Sequence, residues 1–146
     1  MNREIIFRGK SDRGEWIEGY FCPCCFGRFP CEPAIIGKDE MDEGCWRPVR
    51  VDPATVGQYT GSTDKNGTKI FEGDIVKAEC DLYHGENKKE RVTRIGTVIY
   101  DKKFCQFGIN VAGFSKCYVL SRWKGDYNEV IGNIHDNPEL LKGEQA

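Results

Sequence analysis

Asp52-Pro53-Ala54-Thr55-Val56-Gly57-Gln58-Tyr59-Thr60-Gly61, continuing through Asp64-Lys65-Asn66-Gly67 to Ile70-Phe71-Glu72-Gly73-Asp74-Ile75-Val76, is the stretch that decides the fold. Its apolar runs are short, and each is stopped by Gly, Asn or Asp, the residues that turns demand. Asp52-Pro53 opens a turn. Asn66-Gly67 tolerates positive φ at both positions, as two-residue hairpins require. Glu72-Gly73-Asp74 is a second turn, which releases a strand from Ile75. The pattern is one of short strands joined by tight bends.

Working outward, the same texture recurs. Residues 4–8 and 15–21 read as two strands joined by Gly9-Lys10-Ser11-Asp12-Arg13-Gly14. In the second, Trp16, Glu18 and Tyr20 alternate with Ile17, Gly19 and Phe21, so both faces are expected to be partly covered. Between Cys22 and Val51, four prolines interrupt regular structure and only Ala34-Ile35-Ile36 reads as a strand. Beyond the turn at Gly73, strands are expected at 75–80, 92–100, 104–111, 118–120 and 129–134. Asn137 and Pro138 are suited to cap and open a short C-terminal helix. Ile75, Val76, Val98, Phe107, Val111, Val119 and Ile131 are the expected core, and Gly57, Gly67, Gly73 and Gly132 supply backbone freedom or close packing.

Composition bounds the function. At 146 residues the chain fits one domain, 1–146, or a β subdomain 1–60 followed by a barrel subdomain 61–146. A formal net charge of −2 and a pI near 5.8 argue against a strongly electrostatic DNA binder, which needs a basic face. The apolar runs fall far short of the ~20 residues that span a bilayer, and Met1-Asn2-Arg3-Glu4 is not followed by a signal-peptide core. These features predict a cytoplasmic protein without a membrane partner, whose eight cysteines remain mostly thiols.

The mid-chain stretch, together with Glu129-Val130-Ile131-Gly132-Asn133-Ile134 and Asp136-Asn137-Pro138-Glu139-Leu140-Leu141, resembles the YopX family. Ile6-Phe7-Arg8-Gly9-Lys10 and Gly14-Glu15-Trp16 resemble the start of that family. Its members are small proteins encoded mainly by bacteriophages and prophages, with no established biochemical activity. The resemblance implies a strongly bent, SH3-like β-barrel or roll with an N-terminal β extension. A mainly β chain with a short C-terminal helix is the expected fold.

Candidate chemistry is sparse. Cys22 and Cys25 form a C-x-x-C pair which Cys31 and Cys45 could complete as a tetrahedral thiolate site for structural zinc. The bland reading makes these cysteines small apolar residues beside Phe21, Phe26 and Phe29. Cys80, Cys105 and Cys117 read as core. Asp52, Asp64, Glu72 and Asp74 invite a hydrolase story, but Asp52, Asp64 and Asp74 stand where carboxylates shape turns by accepting backbone N–H groups. Asn66, Gly67, Gly73 and Asp74 are therefore structural turn residues. His84 and His135 lack a nucleophile placed by any motif, and no phosphate-cradling loop is present. Lys88, Lys89, Arg91 and Arg94 form a basic strip at one hairpin tip. Lys102 and Lys103 lie at another, near Tyr100, Phe104 and Trp123, which could stack on bases.

The expectation is thus a non-catalytic protein without a cofactor, an interaction or self-assembling module whose partner is a host protein, a phage protein or a second copy. The alternative is a nucleic-acid-associated accessory protein carrying structural zinc.

Overall fold

The computed structural model describes residues 3–27, 31–37, 47–84, 88–112, 118–119 and 128–144. It divides into two compact units, Met1–Gly61 and Ser62–Ala146. Both are built from antiparallel strands.

In the first unit, β1 (Phe7–Lys10), β2 (Trp16–Cys22), β3 (Ala34–Gly37), β4 (Pro48–Arg50) and β5 (Gly57–Thr63) hydrogen-bond in the order β4-β3-β2-β1-β5. The β1–β2 turn closes with the Gly14 N–H donating to the Ser11 carbonyl, and Gly14 takes a φ of 80° that favours glycine. Asp52 opens a 3₁₀ turn over Pro53–Thr55: its Oδ1 accepts the Ala54 N–H at 2.9 Å, and Pro53 gives up no needed donor. The Thr55 hydroxyl then accepts the Lys10 N–H at 2.8 Å, tying that turn to β1. Ala34, Ile35 and Ile36 are all buried, so β3 is covered on both faces, and Ile6, Val51 and Tyr59 complete this core.

The second unit begins where Ser62 and Thr63 lead through Asp64–Gly67 into β6 (Lys69–Phe71). It continues with β7 (Asp74–His84), β8 (Lys88–Asp101), β9 (Gln106–Val111), β10 (Tyr118–Val119) and β11 (Asn128–Asn133). Five of these form a sheet in the order β10-β9-β8-β7-β11. Its core holds Ile70, Val76, Ala78, Val98, Ile109 and Val111, with Phe107 and Val130 packed against it. Each fully buried Val or Ile contributes about 1.5–3 kcal/mol relative to an exposed one. Ile75 is buried as expected, whereas Ile131 is only half-buried beside an irregularity in the β11–β7 register. The side chain of Val119 lies outside the described residues.

Three expectations need correction. Among the described residues, no closed barrel forms. β10 and β11 end opposite edges of the sheet, and the outer edge of β11 is occupied by the Asp64–Lys65 turn: the Lys65 N–H donates to the Asn128 carbonyl and the Val130 N–H to Asp64. An edge satisfied in this way has no free groups there with which to close a barrel. The C-terminal segment Pro138–Glu144 is a 3₁₀ helix, not an α-helix. Finally, the Asn66-Gly67 turn is not of the doubly positive-φ kind. Gly67 has φ 81° but Asn66 does not share that region, and Gly67 N–H donates to the Asp64 carbonyl. This is a tight turn closed by a glycine bulge, which matches strand twist equally well.

Candidate functional site

The carboxylates of the most recognisable segment come first, because a reaction would need them to converge. Asp64 is 5% exposed. Its Oδ1 accepts the N–H groups of Asn66 at 2.8 Å and Thr68 at 2.9 Å, and its Oδ2 accepts that of Val130 at 3.0 Å. The hairpin turn and β11 are thereby held by one side chain across 66 residues of sequence. Burial opposes ionisation of Asp64, but the N–H bonds from Val130, Thr68 and Asn66, with the Thr68 hydroxyl, outweigh it and hold the carboxyl below its ordinary value. A general acid needs the opposite shift.

Asp74 serves in the same manner. It is buried, and its Oδ2 accepts the Phe71 N–H at 2.8 Å. Between them Gly73 takes φ 83°, donates its N–H to the Val98 carbonyl and accepts the Ile134 N–H. The C-terminal phrase locks itself similarly. Asn133 Oδ1 accepts the N–H groups of His135 and Asp136, while a Cβ on Gly132 would stand 2.6 Å from Asn137 Oδ1. Asp64, Gly73 and Asp74 are thus used to hold backbone.

Two outcomes follow from the clamp. Since the folded pKa of Asp64 is depressed, its stabilisation is complete above the unfolded value and is lost as pH falls through the folded one. Thermal stability is therefore expected to decline below about pH 4, with a smaller decline in Asp64→Asn, measured by melts across an acid series. Lys65 also pairs with Glu129 at 2.7 Å, an exposed ion pair which raises the pKa of the lysine. Exposed pairs of this kind contribute little, so Lys65→Ala should melt close to wild type.

Of the basic strip, Arg91 and Arg94 have described side chains. Register pairs His84 with Lys88, Tyr83 with Lys89, Asp81 with Arg91 and Ala78 with Arg94. Strand alternation then puts Arg91 and Arg94 on opposite faces. Arg91 lies 3.7 Å from Glu79. The β8–β9 turn is different: Phe104 is 63% exposed, Tyr100 is 43% exposed, and the Lys103 ammonium sits 5.2 Å from the Phe104 ring centre. Cys105 in this turn is exposed and takes φ 52°, which corrects its assignment to the core. Trp123, Cys117, Cys45 and the side chains of Cys80, His84, Lys88 and Lys89 lie outside the described residues.

The N-terminal cysteines meet in a combination that spacing did not indicate. Cys24 and Cys31 form a disulfide, and Cys22 and Cys25 are free thiols hydrogen-bonded to each other. Among the described residues, no three His, Cys, Asp or Glu side chains converge as a metal site. A recess of about 480 Å³ in the first unit is lined by Arg3, Glu4, Tyr59 and Gly61. Among the described residues, no helix is long and apolar enough to cross a membrane.

No curated protein matches the sequence. Among solved structures, the crystal structure of protein EF1440 from Enterococcus faecalis is similar, with 24% identity over 96% of this chain and 99% of that one and a TM-score of 0.52. That likeness concerns the fold alone. The YopX protein family model matches residues 31–142, which takes in the Asp64 clamp, the Gly73 turn and the Asn133–Asn137 loop. The chain belongs to the YopX family.

Proposed function

We propose that this is a phage- or prophage-encoded, non-catalytic interaction module of the bacterial cytoplasm, which binds a host protein, a phage protein or a second copy of itself. One observation carries the reading: Asp64, a buried acid of the mid-chain turn, spends both oxygens on three backbone N–H groups. Residues used in this way build a scaffold, and function then belongs to edges and loops. Strand β4 at the rim of its sheet, with Pro48 lacking an N–H donor, is a short edge of the kind that limits uncontrolled pairing. Light scattering tests self-association; affinity capture from infected cells, with and without nuclease, tests the rest. A specific protein partner that survives nuclease supports the proposal. A monomer that retains only nucleic acid contradicts it.

The β8–β9 turn favours a second reading, association with single-stranded nucleic acid. Exposed Phe104 and Tyr100 beside Lys102 and Lys103 offer ring faces and cations together. In this reading Phe104→Ala weakens binding to a single-stranded oligonucleotide at low salt by about tenfold, in line with ~1–3 kcal/mol per stacked base. No binding by wild type at low salt disposes of it.

A further inference from the structure

The segment joining β2 to β3 gathers four sulfur atoms within ten residues, and nothing in the scaffold accounts for them. Cys22 closes β2 opposite Ala34 of β3. Its thiol is hydrogen-bonded to that of Cys25, while Cys24 and Cys31, with Cα atoms 4.7 Å apart, form the disulfide. Arg50 braces the two ends of the segment. Its guanidinium lies 4.7 Å from the ring centre of Phe26, the neighbour of Cys25, and its Nε is 2.7 Å from a carboxylate oxygen of Glu32, the neighbour of Cys31. One side chain of β4 thus holds Cys25 and Cys31 in the same neighbourhood. Two thiols already in contact suit a tetrahedral centre, whose metal–sulfur bonds of about 2.3 Å keep its sulfurs adjacent.

We propose that this segment is a redox-gated thiolate site for a soft divalent metal ion of the zinc type, with Cys22, Cys25 and Cys31 as ligands and the released Cys24 sulfur in the fourth position. The Cys24–Cys31 disulfide is the gate, because it ties up two of the four sulfurs. Two equivalents of a low-molecular-weight thiol open it: their two electrons reduce the bond to two cysteine thiols, and they leave as their own disulfide. The metal then displaces four thiol protons to solvent, so binding tightens as pH rises. Closed, the bridge crosslinks the segment; open, the metal does so.

The ligand set differs from the one that spacing suggested, since Cys24 takes the place of Cys45. Cobalt(II) titration of the full chain separates the two, because thiolate-to-cobalt charge transfer reports sulfur ligation directly. Reduced wild type is expected to bind about one equivalent with a strong charge-transfer band, tetrahedral thiolate sites holding a single ion. Protein whose Cys24–Cys31 disulfide has been verified by peptide mapping should show no such band. Cys22→Ser/Cys25→Ser should abolish it and Cys31→Ser should weaken binding at least about tenfold, since losing even a group that only supports a ligand costs about 10–100-fold, while Cys45→Ser behaves as wild type. Circular dichroism establishes that each variant is folded. A reduced protein without the band overturns the proposal. So does a band that survives Cys22→Ser/Cys25→Ser, one that is lost in Cys45→Ser, or one of full strength in the disulfide form.

Discussion

Asp64→Ala is expected to lower the stability of the second unit by about 3 kcal/mol, which for a unit of this size is a drop of roughly 10–20 °C in Tm. The reason is what the substitution leaves behind. Three backbone N–H groups, those of Asn66, Thr68 and Val130, lose their acceptor together. An orphaned donor costs about 1–3 kcal/mol when buried and less when water reaches it, and the clamp is partly buried. The damage is not local to the turn, because Val130 belongs to β11 and β11 pairs with β7 over most of its length. Asp64→Asn keeps one acceptor oxygen and should fall between wild type and Ala. Melts of the three proteins at neutral pH check the order.

Gly73→Val should cost about 2–3 kcal/mol, for a different reason. A Cβ placed there would meet Ile134 side-chain atoms only at 3.6 and 3.7 Å, ordinary contact distances. Space is therefore not the problem. The backbone sits at φ 83°, a region a β-branched residue resists. Relaxing that angle would pull the Gly73 N–H from Val98 and its carbonyl from Ile134, uncoupling the turn from β8 and from the end of β11. Gly73→Asn, which tolerates the left-handed region, should lose about half as much. Equal melting of Val and Gly proteins would show that the turn does not constrain this angle.

What the chain discloses depends on how far apart the interacting residues are. The strands before and after Gly73, the positive φ at Gly67 and Gly73, and the close packing at Gly132 are local matters, written in the turn residues themselves. The reach of Asp64 to Val130 spans 66 residues and leaves no trace in spacing. The open sheet was hidden for the same reason, since closure depends on what covers the outer edge of β11. Arg91 and Arg94 are neighbours only along the sequence; the period of two that defines a strand divides them between faces. Cys105 was assigned to the core by residue type, yet it occupies a turn at φ 52°. Cysteine spacing did not indicate the Cys24–Cys31 disulfide or the Cys22–Cys25 hydrogen bond, because which sulfurs meet is set by how β3 and β4 bring Cys31 and Arg50 back to the end of β2.

The titration of Asp64, followed by NMR through its carboxyl carbon and the amides of Asn66, Thr68 and Val130, bears most directly on whether these phrases brace a scaffold. All four signals should move together, with a midpoint below the ordinary aspartate value of about 3.9. A midpoint at or above that value, or a Val130 amide indifferent to acid, would mean that Asp64 does not clamp β11 and that its carboxylate is free for other chemistry.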